Sequence, residues 1–407
     1  MKDSGKVLHI PFMKEDPYGS LSMPVYQVAA YEFPSAEAME LAFTGQTTDF
    51  TYSRIANPTV QYFEERVKGL TGALSVTALN SGMAAISNAI LTLAYTGSNI
   101  VTSRHLFGNT YSFFASTLAA FGVEIRFCDL TNIVETASKI DDKTCALFME
   151  IITNPQLEVA DVEALAKVAH DKNVPLIVDS TIIPFTHFDA ATPGVDIELV
   201  SSTKYISGGA TSLGGLILDY GKFDWTKSQK LAELASVQGN NAFTFKLKRE
   251  IHRNLGAYLN PQAAYLQTLG LETLGLRYNQ ASSTANEIAH KLSEIRAIQS
   301  VNYPGLKSNP FHEISLKQFG ENPGAMLTID LASREACFKF LNNLKLIRRA
   351  TNLFDNKSLA IHPASTIFGT FSAEARESMH VSECTIRLSI GLENTADLME
   401  DILQALQ

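Results

Sequence analysis

Between Ala73 and Val200 the chain alternates short apolar runs with helical patterns, and that alternation limits the possible folds more than any other feature. Ala73 to Leu79 predicts a strand, and Asn80-Ser81-Gly82-Met83 turns from it into a helix carrying Ile86, Ala89, Ile90 and Leu93. Further apolar runs follow at Ile100-Val101, Val123 to Cys128, Ala146 to Ile152 and Leu176 to Val178. Helical patterns at Tyr111 to Phe121 and Asp161 to Asp171 separate them. Strands spaced in this way imply βαβ units, hence an α/β chain with a mainly parallel sheet and helices on both faces. In such sheets ligands gather beyond the carboxyl ends of the strands. The polar residues that interrupt the apolar runs fall at those ends: Ser81 to Met83, Glu150 and Asn154, Asp179 to Thr181, and Ser201 to Lys204.

The last of these is the most demanding. Ile197, Leu199 and Val200 form an apolar strand, the chain turns polar at Ser201-Ser202-Thr203-Lys204, and a second apolar run follows at Leu213, Leu216, Ile217 and Leu218. A lysine between two buried strands is either a solvated loop residue or an amine with chemical work. Withdrawal from water makes an amine lose its proton more readily, as Schiff-base lysines require, and the flanking hydroxyls suit an anion.

The 407 residues suffice for two domains, each with its own core. With 45% hydrophobic and 18% charged residues the balance is that of a well-buried globular chain. A net charge of −9 and the lack of a basic block argue against a nucleic-acid surface. No apolar run approaches the roughly 18 residues of a membrane span. The first twenty residues carry Lys2, Asp3, Lys6, Lys14, Glu15 and Asp16 around no apolar core, so no secretory signal is expected. Cys128, Cys145, Cys337 and Cys384 lack paired spacing, which fits reduced thiols and a cytoplasmic protein. No metal-ligand spacing is present: there is no HExxH, no CxxC and no clustered histidines.

Residues 1–56, interrupted by Pro11, Pro17, Pro24 and Pro34, gain little by folding alone and are expected to form an arm against another surface, such as a neighbouring subunit. Asn57-Pro58-Thr59 reads as a helix start, with Val60, Phe63 and Val67 following at helical spacing. Residues 228–295 read as largely helical, with Gly270 and Gly275 interrupting a long apolar pattern around Leu266, Leu269, Leu271 and Leu274. Strands at Ala325 to Leu331 and Thr385 to Ile390 and helices at Arg334 to Leu344 and Thr395 to Leu406 complete a smaller α+β segment. The expected division is therefore an arm (1–56), a large domain (57–256) and a small C-terminal domain (257–407).

Ser81-Gly82-Met83 lies where a glycine lets backbone N–H groups approach an anion at a helix N-terminus, though a tight turn alone would also want that glycine. Asp179 ends an apolar strand, so its carboxylate either caps the next turn or meets a heterocyclic nitrogen at the ligand edge. Arg387, in Thr385-Ile386-Arg387-Leu388-Ser389-Ile390, either faces solvent or clamps a substrate carboxylate. His362 in His362-Pro363-Ala364-Ser365 reads as structural. An amine, a phosphate cradle, a carboxylate for a ring nitrogen and an arginine for a carboxylate together fit pyridoxal 5′-phosphate better than any other cofactor.

From about Tyr52 onward the chain resembles the Cys/Met-metabolism family of pyridoxal-phosphate enzymes, within the fold type I, aspartate-aminotransferase-like class. The resemblance is carried by Tyr52-Ser53-Arg54, Asn57-Pro58-Thr59, Ser81-Gly82-Met83-Ala84-Ala85, Ser201-Ser202-Thr203-Lys204, Gly270-Leu271-Glu272-Thr273-Leu274 and His362-Pro363-Ala364-Ser365. Gly221-Lys222-Phe223-Asp224-Trp225 and Thr351-Asn352-Leu353 point to the branch acting on O-acetylhomoserine. The resemblance implies a seven-stranded large-domain sheet and Lys204 as the Schiff-base lysine. It implies phosphate contacts from Gly82, Met83, Ser81, Ser201 and Thr203, and a pyridinium partner in Asp179. Glu150, Asn154 and Thr181 would lie on the cofactor side, and Asn352 and Arg387 on the substrate α-carboxylate. Tyr52 and Arg54 would reach the phosphate of the neighbouring subunit, in a homotetramer built as a dimer of dimers with shared sites. The implied activity is γ-replacement on an acylated homoserine by sulfide or methanethiol, with methionine or cystathionine γ-lyase and cystathionine γ-synthase chemistry as the alternatives.

Two departures from the family pattern matter. Phe107 stands where the family usually has a tyrosine over the ring; it can stack but cannot pass a proton. Acetate leaves without a proton donor, whereas a departing thiolate gains from one, so Phe107 favours an acylated substrate, with Tyr52 a substitute acid. The Gly-His-Gly usual after the lysine is here Gly208-Gly209-Ala210.

Overall fold

The computed structural model describes residue 5, residues 8–10 and residues 16–407; the other arm positions, Pro11 among them, lie outside the described residues. Seven strands form the larger sheet: β1 (Ser75–Leu79), β2 (Asn99–Ser103), β3 (Glu124–Cys128), β4 (Thr144–Glu150), β5 (Leu176–Asp179), β6 (Ile197–Val200) and β7 (Gly215–Asp219). Their order is β1-β7-β6-β5-β4-β2-β3. Pairing is parallel from β3 across to β6, and β7 runs antiparallel to both β6 and β1.

Apolar residues fill these strands continuously because both faces are covered. Along β4, Leu147 and Met149 join one buried cluster while Ala146 and Phe148 join the other. In β5, Leu176 and Val178 part from Ile177 in the same way, as do Leu216 and Leu218 from Ile217 in β7. Each of these side chains larger than alanine contributes about 1.5–3 kcal/mol by leaving water. A one-residue slip would put every one of them on the wrong face.

Registration decides where the polar residues land. Glu150 pairs with Asp179, and Asp179 with Leu199, so β4, β5 and β6 finish level and their next residues open into one crevice. The helix Gly82–Leu93 starts directly after β1, with Ser81 accepting from the Ala84 amide at 3.1 Å. The helix Pro58–Thr71 has the expected start: Asn57 caps it through the Thr59 amide at 3.0 Å, and its Nδ2 donates to Tyr26 O at 2.8 Å. That second bond ties the arm to the first helix.

The helix expected over Tyr111 to Phe121 begins earlier, at Gly108–Ser112, and widens to a π-helical turn over Phe113–Leu118. The long helical run divides at Thr273, between helices Pro261–Glu272 and Leu274–Leu292. Gly270 does not interrupt the first helix. A Cβ there would lie 1.8 Å from Ile206 O, so the glycine is set by close packing on the loop after Lys204. Helix Pro261–Glu272 packs on helix Pro58–Thr71, where Arg66 Nη1 meets Glu272 Oε1 at 3.2 Å.

The second sheet has five strands in the order β10-β11-β12-β9-β8. They are β8 (Ser300–Asn302), β9 (Met326–Asp330), β10 (Arg348–Arg349), β11 (Leu359–Ile361) and β12 (Thr385–Ser389). Helices Leu274–Leu292, Arg334–Asn343 and Thr395–Ala405 pack with it. All four cysteines are free thiols. No helix among the described residues is long and apolar enough to cross a membrane.

Candidate active site

A cavity of about 880 Å³ opens where β4, β5 and β6 end, between the two sheets. Thirteen of the residues singled out in the sequence line it: Ser81, Gly82, Met83, Phe107, Glu150, Asn154, Asp179, Thr181, Ser201, Thr203, Lys204, Asn352 and Arg387. Tyr52 and Arg54 do not. Tyr52 is exposed, and Arg54 lies over its ring at 5.4 Å while donating to Arg253 O at 2.6 Å.

Lys204 follows β6 by four residues, and its amine donates to Asn352 Oδ1 at 2.9 Å. Burial, reinforced by the Arg387 charge, pulls that amine down to about 8, while Asp179 and Asp355 pull it partly back. Asn352 is held in turn: its Nδ2 donates to Asp355 Oδ2 at 3.3 Å, and its backbone carbonyl accepts from Arg387 Nη2 at 3.2 Å. Asp355 is buried and also accepts from Lys357 Nζ at 3.0 Å. The sequence offered no signal for Asp355, because its importance comes only from where Asn352 places it.

The two carboxylates at the ends of β4 and β5 stand side by side. Burial first, then the charge of Asp179, raises Glu150 well above the ordinary carboxylate range. Burial likewise raises Asp179, against the Thr181 amide at 2.9 Å and the positive charge of Lys204. Glu150 Oε1 accepts from the Phe107 amide at 2.7 Å, which fixes the start of the loop carrying that ring. Such a pair favours one proton or a nearby cation. Behind Asp179, Ser180 donates to the buried Glu198, as does Tyr220 OH at 2.6 Å. Burial pushes Glu198 up to about 7.

Opposite the carboxylates lies a small-residue cradle. The first amides of helix Gly82–Leu93 have no intrahelical partner and point toward the cavity end of the helix. A Cβ on Gly82 would lie 2.7 Å from the Ser201 Cβ, so only glycine lets the helix start sit this close to the lysine loop. Ser201 is fixed by its amide donating to Thr181 Oγ1 at 2.8 Å, and Thr203 Oγ1 exchanges hydrogen bonds with Gly214 N and O.

Arg387 is 2% exposed and faces no carboxylate among the described residues. Its guanidinium donates to Asn154 Oδ1 at 3.2 Å and to the backbone carbonyls of Thr351 and Asn352 at 3.1 and 3.2 Å, and Nε has no partner. Burial lowers it to about 10. The strand reading that left Arg387 free to face solvent is thereby decided: it faces inward, and it is a buried cation short of an anion.

The Gly208-Gly209-Ala210 departure also resolves into specific bonds. Gly208 adopts φ +71 and its carbonyl accepts from Asn356 N at 2.6 Å. Arg277 fills the space a Cβ would need there, donating to Tyr205 O and Gly270 O, both at 2.6 Å. His362 is structural: buried, it bonds Ser365 Oγ and Glu383 O, both at 2.8 Å.

Residues 4–407 match the model of the Cys/Met metabolism PLP-dependent enzyme family. An O-acetylhomoserine sulfhydrylase from the methionine biosynthetic pathway of Wolinella succinogenes is 47% identical, with a TM-score of 0.78 over 87% of this chain and 99% of that one. A Campylobacter jejuni protein carrying N′-pyridoxyl-lysine-5′-monophosphate superposes over 100% of both chains with a TM-score of 0.93 at 32% identity. An L-methionine gamma-lyase from Fusobacterium nucleatum is 34% identical over 100% of this chain and 99% of its own. Both the resemblance carried by the motifs and the fold that places them therefore lead to one assignment: the chain belongs to the pyridoxal-phosphate-dependent enzymes of cysteine and methionine metabolism.

Proposed function

We propose that this enzyme catalyses γ-replacement, converting O-acetyl-L-homoserine and sulfide to L-homocysteine and acetate, or using methanethiol to give L-methionine. The observation that carries the choice within the family is the cavity wall at position 107, where a phenylalanine replaces a proton-bearing ring. Similarity to the sulfhydrylase of Wolinella succinogenes supports the same reading.

The residues present suit the cofactor. An amine drawn down to about 8 suits Schiff-base attachment at Lys204. The buried Asp179 suits a protonated ring nitrogen, with Glu150, Asn154 and Thr181 on the same side. The helix start at Gly82 and Met83, with Ser81, Ser201 and Thr203, suits a phosphate. Bound there, pyridoxal phosphate supplies an electron sink for negative charge at the substrate α-carbon. Arg387 and Asn352 bind and orient the α-carboxylate. Lys204, once displaced by the substrate amine, accepts the α-proton at Nζ, with Asn352 Oδ1 holding that nitrogen in place. Removal of a β-proton lets acetate leave the γ-carbon, hydrosulfide adds in its place, a proton returns to the β-carbon, and Lys204 returns the α-proton.

Tyr52 and Arg54 lie outside the cavity of their own chain, and we assign them to the site of a neighbouring subunit in a homotetramer of two site-sharing dimers. The arm (1–56), large domain (57–256) and small domain (257–407) then meet around each site. Cytoplasm is the compartment that suits four free cysteines.

The test is an assay of the pure protein against acetyl-, succinyl- and phospho-homoserine with sulfide, scored by product. Acetate release must depend on Lys204; Lys204→Ala retaining full turnover refutes the proposal. Ammonia and a 2-oxo acid from methionine, formed faster than sulfhydrylation, would install the γ-lyase reading instead, which the similarity to the Fusobacterium enzyme keeps in view. Site sharing has its own test. Lys204→Ala and Arg54→Ala chains, each inactive, should on mixing regain about a quarter of the sites, since half the dimers are mixed and half their sites are whole. No recovery in verified mixed dimers refutes sharing.

A further inference from the structure

The fold brings together three side chains that the sequence keeps far apart. His105, Glu158 and His380 each offer a donor atom, and these atoms lie within 4.8 Å of one another. His105 sits two residues before Phe107 on the loop after β2. Glu158 lies in the connection that follows β4. His380 follows helix Ala373–Ser378, in the same stretch of chain whose Thr366 and Ile367 line the cavity.

Three observations set this cluster apart from an ordinary surface group. His105 Nδ1 lies 2.6 Å from Glu158 Oε2, with side-chain exposures of 13% and 24%, and no lysine or arginine among the described residues pairs with that carboxylate. The ring of His380 packs on that of His105, centroids 4.6 Å apart at 45°. His380 adopts φ +53 directly after a helix end, a left-handed position that usually falls to glycine or asparagine. A histidine placed there is aimed at the other two by the backbone itself.

We propose that His105, Glu158 and His380 form a binding site for a borderline divalent cation, Zn²⁺ in particular. Two imidazoles and one carboxylate are the donor set such ions take, whereas Mg²⁺ and Ca²⁺ favour oxygen alone. Tetrahedral coordination at about 2.0–2.2 Å separates donor atoms by roughly 3.4 Å. The hydrogen-bonded 2.6 Å contact must open by less than about 1 Å and no pair need close by more than about 1.4 Å, within reach of side-chain rotation. With a single carboxylate the occupied site keeps one positive charge and leaves a fourth position for water. The cation joins the loop of Phe107 to the segment of Thr366 and Ile367. These two walls already touch closely: a Cβ on Gly108 would lie 2.9 Å from Ile367 O. Occupancy therefore clamps one side of the cavity without entering it.

The experiment uses tag-free holoenzyme, stripped with chelator, in thiol-free buffer. Zn²⁺ and Mg²⁺ are titrated calorimetrically, and retained metal is counted after equilibrium dialysis. The wild type should bind one Zn²⁺ per chain and no Mg²⁺. His380→Ala, a change at an exposed side chain, should weaken Zn²⁺ at least tenfold, and Glu158→Gln should do the same, both keeping cofactor absorbance and circular dichroism. Zn²⁺ should raise the melting temperature of the wild type and leave that of His380→Ala unmoved. Zn²⁺ uptake and melting shifts equal in the wild type and both variants would place any bound metal elsewhere and overturn the proposal, as would no uptake at all.

Discussion

Replacing Arg387 by methionine separates stability from activity, and the structure says by how much. The guanidinium falls well below its ordinary value, to about 10, because it is buried with no carboxylate beside it. At about 1.4 kcal/mol per tenfold change in proton affinity, holding the charge there costs about 3 kcal/mol. Its three hydrogen bonds, to Asn154 Oδ1 and the carbonyls of Thr351 and Asn352, each return about 1 kcal/mol. The two sums nearly cancel, so Arg387→Met should change unfolding stability by no more than about 2 kcal/mol.

Substrate binding has no such cancellation. A carboxylate arriving at this cation meets a charge that is already desolvated, and removing one partner of a buried pair costs about 3–5 kcal/mol. The variant should therefore lose about two to nearly four powers of ten in kcat/KM for O-acetylhomoserine while keeping its cofactor absorbance. The ligand-side control is 3-aminopropanol, which is homoserine without its carboxylate. Wild type should bind homoserine far more tightly than 3-aminopropanol, and Arg387→Met should bind the two alike. A kcat/KM within tenfold of wild type would refute the carboxylate assignment. So would discrimination between the two ligands that survives the substitution.

Four other outcomes follow from the same geometry. The free-base fraction of Lys204 falls tenfold for each pH unit below about 8, so the rate at which apo-protein captures pyridoxal phosphate, after correction for the cofactor's own ionisation, should climb with pH and level off above 8. Asp355 raises the Lys204 value, so Asp355→Asn should move that midpoint below 8 and reduce kcat about 10- to 100-fold with cofactor retained; an unmoved midpoint would dismiss the positioning role. Glu198 is raised to about 7, so it holds its proton in the folded chain where the unfolded chain has lost it, and stability falls as pH rises from about 4.5 through 7. Glu198→Gln should remove that fall, gaining about 3 kcal/mol in urea unfolding at pH 8 and nothing at pH 4. Phe107→Tyr restores a proton donor to the cavity wall and should raise γ-elimination from methionine relative to sulfhydrylation; an unchanged ratio would detach substrate choice from this position.

What the sequence could and could not disclose divides along physical lines. The larger sheet was legible because burial on both faces writes itself as continuous apolar runs, and the ends of those runs mark the ligand edge, which is how Glu150, Asp179 and Lys204 stood out. The direction in which Arg387 points was not legible, because alternation in a strand allows either face, and only the tertiary packing that buries one face against the cavity selects it. Asp355 was invisible for a different reason: its role passes through a neighbour's amide, and no residue spacing encodes an interaction at one remove. Gly270 stood out only as a break in an apolar pattern; its contact with the Ile206 carbonyl depends on a loop more than sixty positions earlier in the chain.

The same distinction explains how a chain with no metal-ligand spacing can still assemble the His105, Glu158 and His380 cluster. Spacing motifs detect sites built on one helix or one turn, where two donors share a local frame. Here each donor comes from a different connection, and the frame is supplied by the large sheet and by the helix end that sets His380 beside His105. Lys204 and Arg387 obey that rule as well: they come from different sheets and meet only across the cavity, where the Arg387 charge helps burial to lower the Lys204 amine. Asp179 offsets the charge of Lys204, but Arg387 has no carboxylate beside it, so the pair is an incomplete electrostatic set. An anionic substrate completes it, which is why the site should bind amino acids that keep their carboxylate and refuse amines that lack one.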